Sequence, residues 1–156
     1  MCIRDSVLPD PRHRDPMTSA SPPLDRAYRA YLDCLNARDF DALGRHVHEE
    51  VSHNGIHLGV AGYRRMLEKD FDEIPDLRFE LELLVVDPPR VASRLRFDCT
   101  PKGRFLDLDV DGLKVSFAEN VFYEFVDGRI ARVWSVIDKA AIERQLVAAR
   151  GTQRPY

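Results

Sequence analysis

Apolar positions in this chain change period partway along it. From Leu24 to Leu35 they fall at helical spacing (Leu24, Ala27, Tyr28, Tyr31, Leu32, Leu35), with Arg26, Arg29 and Asp33 off the stripe. That pattern predicts an amphipathic helix. Ser21-Pro22-Pro23 supplies its entry, a capping hydroxyl followed by proline in the first turn. Asn36-Ala37-Arg38-Asp39 breaks it, and Asp39 is placed to cap a short second helix through Phe40, Leu43 and Val47. Gly55 and Gly59 mark turns around a histidine-rich segment, His46 to His57. A third helix is predicted from about Val60 to Phe71, with Tyr63, Met66, Leu67 and Phe71 inward, and Ile74-Pro75-Asp76 ends it.

From Leu77 the period becomes two. Leu77, Phe79, Leu81, Leu83 and Val85 alternate with Arg78, Glu80 and Glu82; beyond Asp87-Pro88-Pro89-Arg90, Val91, Ser93, Leu95, Phe97 and Cys99 alternate with Arg94, Arg96 and Asp98. These read as two half-buried strands. Thr100 to Gly103 is a turn, Arg104 to Leu108 a short strand, and Asp109 to Gly112 leads into two long arms, Val115–Val126 and Arg129–Asp138, joined by Asp127-Gly128. β-Branched and aromatic residues fill both arms, and Asp-Gly is a strong hairpin signal. Asp138 then caps a last helix through Ile142, Gln145, Leu146 and Ala149. Helices gathered on one face of a mostly antiparallel sheet of about five strands make an α+β domain, expected over residues 23–150.

The hairpin register decides what its inner face carries. A two-residue turn sets Glu119 opposite Val136. A three-residue loop with Gly128 as bulge residue sets Glu119 opposite Ser135, and it groups Phe117, Val121, Tyr123 and Phe125 with Ala131, Val133 and Ile137. The second is preferred because its apolar face is nearly continuous. One carboxylate then stands among apolar side chains, which is costly unless it is paired, wet or functional.

Composition changes this picture little. The 156 residues suffice for one domain, and a net charge of −3 gives no footprint for nucleic acid. No apolar run is long enough to span a membrane. Cys2, Cys34 and Cys99 are odd in number and scattered, without metal or disulfide spacing, which fits a reducing cytoplasm. Residues 1–22 are rich in Pro, Arg, Asp and Ser and lack the apolar core of a signal peptide; they read as a disordered tail, with Met17 a plausible start and the leading six residues foreign to the gene.

Glu119 is the leading candidate for chemistry. In an apolar pocket its pKa rises into the range of a proton shuttle; in the bland alternative Arg94 or Arg96 holds it for structure alone. Ser135 can hydrogen-bond Glu119 or a substrate. His53, Asn54 and His57 are expected near the cavity mouth, where imidazole titrates near neutrality and an amide can hold an enolate oxygen. Tyr63 and Tyr123 are the tyrosines placed nearest a ligand, and Phe97, Phe117 and Val121 complete an apolar lining. The spacing of His46, His48, Glu49, His53 and His57 matches no zinc signature, so no metal is expected. Asp107, Asp109 and Asp111 read as exposed. Trp134 and Phe122 fall on the opposite sheet face, suited to a second subunit.

The stretch Asp127-Gly-Arg-Ile-Ala-Arg-Val-Trp-Ser-Val-Ile-Asp138, followed by Gln145-Leu146, resembles the ending of the NTF2-like superfamily, and within it the SnoaL-like group of polyketide or ester cyclases. The helical start with Asn36-Ala-Arg-Asp-Phe-Asp41 fits as well. The resemblance runs from Leu24 to Leu146 and implies a cone of helices closed over a curved sheet. In the polyketide cyclases of that group the aspartate after the tryptophan is taken as the acid/base. The matching position here is Ser135. The group's histidine falls at about Val121, a glutamine at about Glu119, and an asparagine at about His53. The resemblance therefore implies a related cofactor-independent enzyme in which the acid stands across the hairpin, at Glu119. Such an enzyme would abstract a proton next to a carbonyl in a small apolar organic molecule, with His53 or Asn54 stabilising the enolate, and cyclisation, isomerisation or dehydration would follow. A homodimer is expected, with neither nucleic acid nor membrane as partner. The competing expectations are a non-catalytic module that binds an apolar ligand and a dimeric interaction domain with a filled cavity.

Overall fold

The computed structural model describes residues 22–151. The predicted Ser21 cap and all but the last residue of the predicted tail lie outside that range. Helix α1 (Leu24–Asn36) and helix α2 (Gly59–Glu73) cover one face of a six-stranded sheet. The strands run in the order β2 (Ile56–His57), β1 (Val47–His53), β8 (Arg129–Ile137), β7 (Val115–Val126), β4 (Arg90–Cys99), β3 (Glu80–Asp87). A small ribbon, β5 (Arg104–Phe105) with β6 (Leu108–Asp109), stands apart, and helix α3 (Lys139–Gly151) closes the chain. Among the described residues no helix is long and apolar enough to cross a membrane. The α+β class and the helix-covered curved sheet are as the period changes predict.

Several details differ, each for a local reason. The segment after Phe40 is a single 3₁₀ stretch, Phe40–Arg45, in which the Asp39 side chain makes no cap and Val47 already belongs to a strand. The histidine-rich segment is a hairpin, β1–β2, closed by Asn54 (φ +47°) and Gly55 (φ +81°). Its first strand runs parallel to β8, pairing His53 with Val133. In β3 the register shifts at Glu82, between the pairs Leu81–Leu95 and Leu83–Arg94. That bulge reverses the alternation, so Leu83 and Val85, expected inward, are more than half exposed. In β4 the expected set Val91, Ser93, Leu95, Phe97 and Cys99 is buried throughout.

The β7–β8 register matches neither expectation. Asp127 (φ +52°) and Gly128 (φ +74°) form a two-residue turn that pairs Val126 with Arg129 and Phe125 with Ile130. Ala131 is then left without a partner, and Glu124 faces Arg132. Beyond that bulge Glu119 lies opposite Ile137 and Val121 opposite Ser135. A tight turn with positive φ at both positions matches strand twist, and the extra residue restores the parity that buries Val133 and Ile130 together. Glu119 and Ser135 therefore share the inner face, but as diagonal rather than direct neighbours.

At the far end, the Asp138 Oδ1 accepts the Ala141 N–H at 3.1 Å, the helix cap expected of it. Gln145 ties α3 to the sheet, accepting from the Ser116 N–H at 2.8 Å and donating to the Ser116 carbonyl at 2.6 Å.

A Cβ at Gly128 has open space around it but a left-handed backbone beneath it. Gly128→Ala is expected to cost about 1 kcal/mol in urea unfolding, through backbone strain alone.

Candidate functional site

The sheet's inner face and the two helices enclose a cavity of about 210 Å³. Its floor is β7 and β8: the inward set Phe117, Glu119, Tyr123, Val133, Ser135 and Ile137 lines it. Phe97 joins from β4, His53 from β1, Tyr31 from α1, and Tyr63 with Asp70 from α2. Alternation along the strands puts the sheet residues there, and helical spacing does the same for Tyr63, Met66, Leu67 and Asp70 on α2.

Glu119 reaches this cavity with the Ser135 hydroxyl as its side-chain hydrogen-bond partner. Burial raises its pKa from 4.5 to about 7; the Ser135 bond pulls it partly back, and the charge of Asp70 pushes it further up. No guanidinium relieves it. Arg94 lies on the outer face, with Nε 3.6 Å from the Glu82 carboxylate and Nη1 donating to Asn120 Oδ1 at 3.1 Å; Arg96 Nε stands 3.5 Å from Asp98 Oδ2. The structural account of Glu119 as one half of an arginine pair is excluded by this geometry.

Asp70 is the second carboxyl in the cavity, and sequence reasoning overlooked it. Burial raises its pKa to about 6; Glu73 adds to the rise and Lys69 opposes it. A signal was available: Asp70 stands three positions after Leu67 and four after Met66, inside the apolar stripe of α2.

Two of the tyrosines form a buried pair. The Tyr31 and Tyr63 hydroxyls are 2.6 Å apart, and either can donate. One proton bridges them, and the other has no acceptor among the described residues. Burial holds both phenols well above their ordinary range, so they remain neutral donors. Behind them Tyr28 bonds the Ser93 hydroxyl at 2.6 Å and donates to the Tyr123 hydroxyl at 3.4 Å. Ser93, the buried polar residue of β4, is thereby satisfied.

Of the residues singled out in the sequence, Glu119, His53, Tyr63, Phe97, Phe117, Tyr123 and Ser135 line the cavity. Burial lowers the pKa of His53, which favours neutral imidazole. Asn54, His57 and Val121 are not in the lining. The Asn54 amide is committed to the β8 backbone, accepting from the Ser135 N–H at 2.8 Å and donating to its carbonyl at 3.2 Å. That commitment, together with its absence from the lining, takes it out of reach of an enolate oxygen in the cavity. His57 is exposed and sits 3.0 Å from the Glu50 carboxylate. Val121 is packed beneath the surface, 1% exposed. Asp107, Asp109 and Asp111 are exposed, and no group of three metal-ligating side chains comes together among the described residues.

A hollow α+β cone with carboxyls in an aromatic interior is the architecture of a protein that takes a small organic molecule inside itself. Residues 25–146 match the model of the SnoaL-like polyketide cyclases, and the chain belongs to that family. It is similar to the crystal structure of a SnoaL-like polyketide cyclase from Agrobacterium tumefaciens, at 59% identity and a TM-score of 0.79, over 80% of this chain and 98% of that one. TsrD from Streptomyces laurentii shares the fold at 24% identity and a TM-score of 0.69, over 79% of this chain and 93% of the other. AclR from Streptomyces galilaeus does so at 21% identity and 0.65, over 80% and 96%. None of the curated proteins matches the chain.

A carboxyl whose pKa is higher folded than unfolded binds more protons in the folded state, so the fold loses stability as pH rises between the two values. For Glu119 that window runs from 4.5 to about 7. Glu119→Gln is therefore expected to be more stable than the parent at pH 8, by roughly 3 kcal/mol at most. The difference should shrink toward pH 4.5, as read by urea unfolding across the pH range.

Proposed function

We propose that the protein is a cofactor-independent enzyme of acid/base chemistry that abstracts a proton next to a carbonyl in a small, apolar, aromatic-compatible substrate. Cyclisation, isomerisation or dehydration follows from the enolate so formed. The observation that carries this reading is Glu119: a carboxyl with a pKa near 7, without a cationic partner, lining a largely apolar, partly open cavity. A base whose pKa lies near the working pH combines a useful ionised fraction with a strong driving force for taking the proton. Ser135 orients it through their hydrogen bond. The neutral imidazole of His53, opposite Val133 in the sheet, is the polar group offered to the developing oxyanion. Family membership supports the class of substrate and leaves the reaction to the residues of this chain.

An aromatic ketone with an acidic C–H, such as 2-tetralone, is the probe. In D₂O the protein is expected to accelerate deuterium exchange beside the carbonyl, and Glu119→Gln to reduce that acceleration by about 10²-fold or more. Equal exchange by both proteins, with 2-tetralone still bound, would leave the ligand-binding module as the reading.

The same proposal includes a homodimer through the outer sheet face. Phe122 pairs with Trp134 across β7 and β8, and Val85, through Ala92, extends that row; Leu83 and Val136 flank it. Phe122 is 58% and Val136 70% exposed in the single chain, and a contiguous apolar surface of this kind marks an interface. Trp134→Glu is expected to shift the mass in solution from two chains to one by analytical ultracentrifugation, while leaving the cavity side intact. Cytoplasmic placement fits Cys34 and Cys99, both buried free thiols.

A further inference from the structure

The proposed base explains one carboxyl in the cavity and leaves the other unused. Asp70 comes from the helix layer and Glu119 from the sheet, and both line the same cavity. The Asp70 carboxyl has no hydrogen-bond partner among the described residues, and none of its atoms is both buried and unsatisfied; its oxygens therefore keep accessible surface on a residue that lines the cavity. The lining contains neither lysine nor arginine. Two carboxyls that share an apolar space without a cation resist ionising together, because each charge raises the cost of the other.

We propose that Asp70 is a second catalytic residue, the partner of Glu119 in an acid–base pair, and that the pair restricts the site to neutral substrates. The inference rests on the reading of Glu119 given above. One carboxylate removes the proton from carbon; the C–H bonding electrons form the new C=C bond, and the carbonyl π electrons move to oxygen. The other carboxyl, still protonated, gives its proton to that oxygen. The product is a neutral enol, and the pair ends with the same number of protons it began with, so no co-reactant is needed. Reprotonation at another carbon, loss of a β-hydroxyl as water, or attack on an internal carbonyl regenerates the starting state. A negatively charged substrate would meet the pair's own charge with nothing to offset it, whereas a neutral aryl ketone buries its ring against the Phe97 and Phe117 faces.

The pair works only when it holds one proton, which gives a bell-shaped pH dependence. Its limbs should lie near the two raised values, about 6 and about 7, treated as properties of the pair. Besides Glu119, the titratable groups beside Asp70 or in the cavity lining are Lys69, Glu73 and Tyr63 on α2, His53 on β1, Tyr31 on α1 and Tyr123 on β7. Of these, Tyr31 and Tyr63 stay neutral through that range.

The test uses 2-tetralone exchange together with carbon NMR titration of the Glu119 carboxyl in the full chain. Asp70→Asn is expected to slow exchange by about 10²-fold and to replace the bell with a single ascending limb. It should also lower the Glu119 titration midpoint, because the neighbouring negative charge is gone. Asp70→Glu, which restores a carboxyl, should bring back the descending limb, and it serves as the reporter should the asparagine variant fold poorly. The bicyclic anion 2-naphthoate should bind at least tenfold more weakly than 2-tetralone at pH 8. An Asp70→Asn protein with parental rate, parental bell and an unmoved Glu119 midpoint would overturn the pair while Glu119→Gln still abolished exchange. If neither variant altered exchange, the base assignment itself would fall. Equal binding of anion and ketone would overturn the restriction to neutral substrates.

Discussion

The parity of the β7–β8 hairpin governs everything that faces the cavity. Side chains alternate along a strand, so one unpaired residue moves every later position to the opposite face. Ala131 is that residue. With the tight Asp127-Gly128 turn alone, Val133, Ser135 and Ile137 would point outward and Trp134 and Val136 inward. The bulge reverses this, putting a hydroxyl beside Glu119 and leaving the indole on the outer surface. The site is thus built as much by a defect in the ladder as by the ladder itself.

The electrostatics follow from what the cavity lacks. A carboxyl in an apolar setting either finds a cation or holds its proton more tightly. Here the nearby arginines of β4 are turned to the outer face by strand alternation, where Glu82, Asn120 and Asp98 occupy them. Glu119 and Asp70 therefore keep raised affinities for protons. Such a pair disfavours the folded state once it ionises, and the surrounding core must offset that. Tyr28, Leu43, Val47, Val51, Val91 and Ile130 are fully buried in that core. The proposed chemistry and stability are in tension at these two side chains, as is usual where a site needs a perturbed group.

Much of the architecture was legible because period carries it. The switch from helical to alternating spacing at Leu77, the Asp-Gly turn and the Asp138 cap each express local physics that survives packing. What could not be read were the places where one residue breaks the count. The bulge at Glu82 turned Leu83 and Val85 outward, and the bulge at Ala131 changed the partner of Glu119 while preserving its face. Bulges answer to sheet curvature, which depends on strands far apart in the chain. The cavity's phenylalanines and Glu119 were visible as inward positions on strands. Asp70 was visible too, as a charge within an apolar stripe, but an acid in a helix is so often solvated that the signal was passed over. Asn54 shows the opposite error. Its residue type suited a ligand, yet its left-handed backbone and its two bonds to Ser135 make it part of the scaffold.

Those two bonds have a wider effect. They grip both polar backbone groups of Ser135 from the turn that follows His53, so the imidazole-bearing strand and the hydroxyl-bearing strand cannot slide past one another. Ser135 in turn stands beside Glu119 on the inner face. The backbone that carries His53, Ser135 and Glu119 is thereby held in one register across three strands. A scaffold held in this way has little backbone entropy left to lose on binding, so a guest would be sorted by the shape and charge of the hollow as it stands.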